Sequence, residues 1–192
     1  MAIADSDPRV DGLGAQMLRS AGITVETGLL GDEAFTDHDG FLRRTVTGRP
    51  MVTLKIASSF DGRIATGTGE SQWITGAEAR AQVHLLRAQS CAVITGIGSV
   101  LTDNPSMNCR ADELAAAGVS AAAIEGLKQP LRVVVDSQLR MPVEAKLLQQ
   151  SGAVLIATCV QDESRFTPLI KAGAQVWVGP ANEQGHVDLA AL

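Results

Sequence analysis

Four short apolar runs recur in the second half of the chain, and polar or glycine-containing segments separate them. The runs are CAVIT (91–95), LRVVVD (131–136), AVLIAT (153–158) and AQVWVG (174–179). Uninterrupted apolar runs of this length are typical of strands that are buried in a parallel sheet. The segment DESRFTPLIKAG (162–173), between the last two runs, has the pattern of a helix. We therefore predict an α/β layered fold with a mainly parallel central sheet.

A further strand is predicted ahead of these runs, at residues 51–57 (MVTLKIA). Its larger apolar residues alternate with Thr53 and Lys55, as in a half-buried strand. A Gly-rich polar loop follows and contains Trp73, one of only two tryptophans in the chain. The next segment, from about Gly76 to Gln89, is predicted to be a helix.

Charge and cysteine content narrow the classes of function. A formal net charge of −5 argues against the broad basic face that nucleic-acid or membrane-surface binding requires. The three cysteines are widely spaced without a C-x-x-C motif, which favours reduced thiols, and no His/Cys cluster has zinc-site spacing. No signal peptide and no membrane-length apolar run is visible. We therefore expect a cytoplasmic protein with no metal site, no membrane partner and no nucleic-acid partner.

Candidate ligand-binding residues lie near the ends of the predicted strands, where open α/β sheets bind ligands. After CAVIT, Gly96 and Gly98 let a ligand approach the backbone closely, and a phosphate cradle and a plain tight turn are equally open interpretations. Arg87 and Arg110 are candidate anion ligands because guanidinium groups match phosphate oxygens, although a lone arginine is more often a solvated surface residue. Lys55 on a strand face needs an anionic or hydrogen-bonding partner, and a structural role has similar weight.

A series of motifs between residues 50 and 140 resembles a known family. In order they are L-K-x-A-x-S-x-D-G-R, G-E-S-Q-W-I-T, L-L-R-A-Q-S, V-L-x-D-x-P with a following arginine, and R-V-V-V-D-S. Their order and spacing are similar to those in the reductase domain of the bacterial bifunctional riboflavin-biosynthesis deaminase/reductases, the RibD family. The tail GHVDLAAL is similar more weakly, and residues 1–50 resemble the end of the deaminase domain that precedes the reductase.

The resemblance implies a fold like dihydrofolate reductase that is incomplete at its C-terminus. It implies two domains: a remnant of a cytidine-deaminase-like domain at residues 1–48, and the reductase domain at residues 49–192. The H-x-E and P-C…C zinc motifs of the deaminase are absent from these residues. Zinc is therefore expected only in the missing deaminase part, and deamination is not expected of this chain.

The activity that the resemblance implies is NADPH-dependent reduction of 5-amino-6-(5-phosphoribosylamino)uracil to the ribitylamino product, with hydride delivered to the first carbon of the ribose. Carried over by position, the implied substrate ligands are Lys55, Ser71, Arg87, Met107 and Arg110. The implied cofactor ligands are Ala57, Trp73, Ser99, Asp103 and Ser137. Lys55 and Asp103 are the implied catalytic residues, with Lys55 near the ribose as hydrogen-bond donor or proton source.

Trp73 has two interpretations under this resemblance. Its indole packs against the nicotinamide end of the cofactor while Ser71 reaches the substrate, or it simply plugs the edge of the sheet. Two other functions also stay open: another NADPH reductase of the dihydrofolate reductase fold, and a non-catalytic fragment that binds a phosphosugar or nucleotide. The expected partner is a small-molecule substrate, and we expect a homo-oligomer, either a dimer or a tetramer.

Overall fold

The computed structural model describes all 192 residues, which divide into two compact units, Met1–Ile56 and Ala57–Leu192. The first unit contains three helices, α1 (Leu13–Ser20), α2 (Gly31–Asp37) and α3 (Asp39–Thr47). Only two of its residues are buried, Ala15 in α1 and Leu42 in α3. The predicted domain boundary after residue 48 stays a prediction.

The second unit is built on a four-stranded parallel sheet with strands in the order β1 (Ala92–Gly96), β2 (Leu131–Val135), β3 (Val154–Thr158) and β4 (Ala174–Val178). The helices that accompany the sheet are α4 (Ala77–Ala88), α5 (Ile97–Asp103), α6 (Ala111–Ala116), α7 (Ala121–Glu125) and α8 (Thr167–Lys171), with 3₁₀ turns at Lys146–Gln149 and Glu163–Arg165. All four apolar runs contain strands, so the predicted α/β fold with a mainly parallel sheet is confirmed. No helix has both the length and the apolar character that crossing a membrane requires.

The hydrophobic core of the second unit lies against the two central strands. Val134 of β2 and Ile156 of β3 are neighbours in the sheet register, and neither has exposed surface. The remaining core residues come from α5, the segment after β2, the start of β3, the α8 region and the outer strand β4: Ile97, Val100, Leu139, Met141, Ala145, Leu147, Val154, Phe166, Leu169 and Ala174. The apolar runs are therefore buried where the sheet has a strand on both sides.

Two details of the predicted strands are wrong. Residues 51–57 form no strand, and Val52 and Leu54 are 84% and 80% exposed. The alternation of apolar and polar residues identifies a face that can be buried. A strand forms only where a neighbouring strand pairs with its backbone hydrogen-bonding groups, and the sheet contains only β1 to β4. The run CAVIT does form β1, yet its Ile94 is 60% exposed because β1 is an edge strand that pairs only with β2.

Candidate active site

A cleft of about 720 Å³ lies beyond the carboxyl ends of β1 and β2, the edge where parallel sheets bind ligands. This volume is typical of small-molecule sites. Gly96 and Gly98 line it, and a Cβ atom added to either residue would meet no other atom within 4 Å. Their backbone is therefore open to a ligand. The other lining residues are Ile97, Val135, Ser137, Gln138, Arg140, Asn182, His186, Val187, Asp188, Leu189 and Ala190.

The turn after β2 is shaped by the buried carboxylate of Asp136. Its Oδ2 accepts a hydrogen bond of 2.8 Å from the amide of Met141, whereas its Oδ1 has no partner. Burial raises the pKa of Asp136, and the nearby backbone N–H groups, that of Met141 first, together with the charge of Arg140 partly oppose that rise. Because the carboxylate binds the backbone on the far side of the turn, it brings Gln138 and Arg140 to the cleft.

The C-terminal segment folds back onto the same turn. Val187 is 2% exposed and donates its backbone N–H to Ser137 Oγ at 3.0 Å. An antiparallel bridge joins Ala181 to Val187, and Asn182 Oδ1 accepts hydrogen bonds from two amides in between. This wall of the cleft, including His186, is not among the residues predicted from the sequence, although the tail GHVDLAAL and the turn-forming residues before it carry a signal for it.

Three of the predicted substrate ligands meet around the loop between α5 and α6. Arg87, in the last turn of α4, is half-buried and its Nη1 donates to the carbonyl of Asn108 at 3.3 Å. Arg110 precedes α6, and its Nη1 lies 3.5 Å from the carboxylate of Glu113. Met107 is buried in the same loop at a positive φ of 54°.

Arg87 and Arg110 form a cationic cluster at this loop, which the carboxylate of Glu113 partly offsets. Burial is the main cause that lowers the pKa of Arg87, and repulsion by Arg110 lowers it further, with an opposing influence from Cys109. The same two arginines lower the pKa of His84, after burial as the largest cause. Guanidinium groups that repel each other are typical of a site that an anion neutralises.

The other predicted site residues lie in more exposed positions. Ser71 and Trp73 are on the loop before α4, where Trp73 is 71% exposed and the Arg80 guanidinium lies 4.6 Å from its ring centroid. Ser99 and Asp103 are exposed on α5, directly after Gly98 of the cleft.

Two predicted residues stand outside both groups. Lys55 is an exposed residue of the first unit and makes no hydrogen bond or ion pair, and Ala57 begins the second unit. No group of three or more His, Cys, Asp or Glu residues is arranged to hold a metal ion. The ligand roles of all these residues stay predictions.

Comparisons with known proteins agree on one family. The family model described as the RibD C-terminal domain matches residues 50–192. The riboflavin biosynthesis protein RibD of Escherichia coli K12 is 38% identical over 191 residues, which are all of this chain and 51% of that protein. RibD of Haemophilus influenzae is 41% identical over 166 residues, covering 86% of this chain and 45% of that protein. The chain thus spans about half the length of the curated relatives it matches.

Solved structures give the same result. RibD of Acinetobacter baumannii superposes with a TM-score of 0.78 and 38% identity, over 95% of this chain and 48% of that one. The Thermotoga maritima diaminohydroxyphosphoribosylaminopyrimidine deaminase/5-amino-6-(5-phosphoribosylamino)uracil reductase superposes with a TM-score of 0.71 and 28% identity, over 94% and 52%. The dihydrofolate-reductase-like fold expected from the motifs is therefore confirmed. The chain belongs to the family of RibD C-terminal domains, the reductase domains of riboflavin biosynthesis.

Proposed function

We propose that this chain catalyses the NADPH-dependent reduction of 5-amino-6-(5-phosphoribosylamino)uracil to its ribitylamino product. The solved relative from Thermotoga maritima is named for this reductase activity. The observation that carries the proposal is the cationic cluster of Arg87 and Arg110, since the substrate has a single phosphate group to be held. A fixed pair of guanidinium groups supplies the charge and the directed donors that a phosphate monoester requires.

Arg110 is the more available of the two phosphate ligands. Its side chain is 55% exposed and forms an ion pair with the Glu113 carboxylate, which an incoming phosphate can replace. Arg87 is half-buried and already donates one hydrogen bond to the Asn108 carbonyl. We assign Arg87 to holding the loop and adding positive charge, and Arg110 to direct contact. Ser71 and Met107 complete the proposed substrate ligands.

The cleft beyond β1 and β2 fits a nicotinamide dinucleotide. Open space at Gly96 and Gly98 admits a ligand against the backbone, and the Ser137 and Arg140 side chains present polar groups to the cleft. NADPH, when bound, supplies the hydride that reduces the first carbon of the opened ribose. Of the proposed ligands for it, Ser137 lines the cleft, whereas Ala57, Trp73, Ser99 and Asp103 lie outside its lining.

The reduction also requires a proton at the imine nitrogen of the opened ribose. Lys55 carries three N–H donors and has no partner in the chain, so its ammonium group is free to donate to a ligand. We assign Lys55 as hydrogen-bond donor or proton source, and Asp103 as the second catalytic residue. A proton donor of this kind must lie within hydrogen-bond reach of the atom that it protonates.

Arg110→Ala tests the phosphate assignment. We expect substrate binding to weaken by ~1.5–3 kcal/mol, the range for a hydrogen bond to a charged group, with NADPH affinity little changed. Isothermal titration of both ligands measures this, and Arg49→Ala, which removes an exposed arginine of the first unit, is the control. An equal loss for both ligands reassigns Arg110 to the cofactor or to the scaffold.

Turnover separates the proposed reaction from its two alternatives. We expect NADPH oxidation that depends on the phosphoribosylamino-pyrimidine, and none that depends on dihydrofolate. Oxidation with dihydrofolate instead supports a different reductase of the same fold. Binding of the pyrimidine without any oxidation of NADPH supports a non-catalytic phosphosugar-binding role.

A further inference from the structure

The peptide group that joins Cys109 to Arg110 is held at both of its polar atoms by side chains. The Cys109 carbonyl accepts a hydrogen bond of 3.1 Å from Gln129 Nε2, and the Arg110 amide donates to His84 Nδ1 at 3.2 Å. Gln129 Oε1 also accepts from the Cys109 amide at 2.8 Å. Two side chains from distant parts of the sequence thus fix the orientation of this one peptide plane.

The same loop has further hydrogen bonds along its length. Arg87 Nη1 donates to the Asn108 carbonyl at 3.3 Å, and Arg132 Nη1 donates to the Ser106 carbonyl at 3.4 Å. The bonds at Cys109 and Arg110 fix the peptide group that carries the Arg110 Cα, and so the position from which the Arg110 side chain starts. His84 is only 4% exposed, so water does not compete for its Nδ1.

We propose that His84 and Gln129 are positioning residues that clamp the Cys109–Arg110 peptide and so hold the Arg110 guanidinium ready for the substrate phosphate. The inference rests on the proposed function and deepens it. Neither the motifs nor the comparisons assign His84 or Gln129 a part in phosphate binding. Preorganised donors bind an anion more tightly since less conformational freedom is lost on binding. A clamp on the peptide reduces the backbone part of that loss without using a donor of the Arg110 side chain.

The charges around His84 support its neutral form. Burial, and then the Arg87 and Arg110 guanidinium groups, lower its pKa from the ordinary 6.5, while Glu113 and Asp112 of α6 act in the opposite direction. A neutral imidazole can present Nδ1 as an acceptor, whereas both nitrogens of the protonated ring are donors. Protonation of His84 therefore breaks the bond to the Arg110 amide.

Two variants at His84 distinguish the loss of the hydrogen-bond acceptor from the loss of the imidazole ring. His84→Leu removes the acceptor, and His84→Asn keeps an oxygen near the position of Nδ1 but cannot titrate. We expect His84→Leu to raise the KM for the phosphorylated pyrimidine about tenfold with kcat changed less than about twofold, and His84→Asn to behave like the unmodified protein. The KM for the dephosphorylated pyrimidine stays unchanged in both variants.

Nuclear magnetic resonance of the Arg110 amide supplies a readout that activity does not. In the unmodified protein we expect its chemical shift to follow the protonation of His84, with a pKa lowered from the ordinary 6.5, and in His84→Asn we expect that titration to disappear. Gln129→Leu, which removes both bonds to Cys109, is the second variant in case His84→Leu does not fold. We expect it to raise the same KM and leave kcat unchanged.

The outcomes distinguish the clamp from the function on which it rests. If Arg110→Ala leaves the KM for the phosphorylated substrate unchanged, Arg110 does not bind the phosphate, and both the proposed role and the clamp are wrong. If Arg110→Ala raises KM while His84→Leu and Gln129→Leu do not, the phosphate site stands and the clamp is overturned. If the chemical shift of the Arg110 amide is the same in the His84 variants as in the unmodified protein, the clamp is also overturned.

Discussion

Residues 104–110 and residues 51–75 both contain predicted site residues, but the structure holds them very differently. Side chains from α4 and from the β2 region hydrogen-bond the backbone of 106–110 at four positions. No residue from 51 to 75 is buried. One side chain from α4 reaches the end of this segment, where Arg80 Nη1 donates to the Thr75 carbonyl at 2.7 Å, and the other backbone hydrogen bonds are turn contacts such as Ser59 to Arg63 and Thr66 to Glu70. The predicted site residues are therefore held by distant side chains in one segment and lie among local turns in the other.

Substitution of the buried Arg132 is the test of this contrast with the largest expected effect. It has no exposed surface and donates to the carbonyls of Ser106, Leu147, Gln150, Ser151 and Gly152, while burial lowers its pKa. Arg132→Met leaves these oxygens without their donor, and we expect a loss of ~3–5 kcal/mol in the free energy of unfolding. Urea unfolding measures this loss.

Arg63→Met is the matched control in the exposed segment. The Arg63 side chain is 79% exposed and its ion pair with Asp61 is 3.9 Å long, so we expect a change within ~0.5 kcal/mol. Equal losses for the two variants contradict the contrast between a held and an exposed segment. A small loss for Arg132→Met shows that water satisfies those carbonyls when the guanidinium is removed.

A smaller effect is expected for Asp136→Asn, and it concerns pH. Because burial raises the pKa of Asp136, the folded state binds the proton more tightly than the unfolded state does. Its contribution to stability is therefore complete below the ordinary pKa of 3.8 and is lost as the pH rises through the higher folded-state value. Asparagine cannot titrate, so the stability of the variant relative to the unmodified protein increases with pH across that window.

Urea unfolding of both proteins over a range of acidic pH tests this sign. A stability difference that stays constant with pH contradicts the raised pKa. Asp61→Asn is the control for this measurement, because Asp61 is an exposed residue of the 51–75 segment.

The smallest effect is expected for Leu54→Ala. Leu54 is 80% exposed, so its truncation removes little buried surface and changes the free energy of unfolding by less than ~0.5 kcal/mol. Leu147→Ala truncates a leucine with no exposed surface, and we expect a loss of ~2–5 kcal/mol. A loss above ~1.5 kcal/mol for Leu54→Ala restores the predicted half-buried strand at 51–57.

Sequence patterns predicted most of the second unit correctly. The central runs LRVVVD and AVLIAT became the buried strands β2 and β3, and the helix expected from about Gly76 to Gln89 is α4 (Ala77–Ala88). These predictions succeed because continuous burial on both faces requires apolar residues at every position of a strand. The pattern of 51–57 is equally regular, yet a strand needs a partner, and a partner is not a property of the segment itself.

The candidate site shows the same division between features that local sequence predicts and features that depend on a distant partner. The sequence by itself determined the family, the α/β class and the candidates Arg87 and Arg110, because each of these is carried by residue types and their spacing along the chain. Only the tertiary structure decided that His84 and Gln129 hold the peptide of Arg110, and that Val187 reaches Ser137 across 50 residues. A hydrogen bond depends on the positions of two groups in space, and no local pattern encodes the second group.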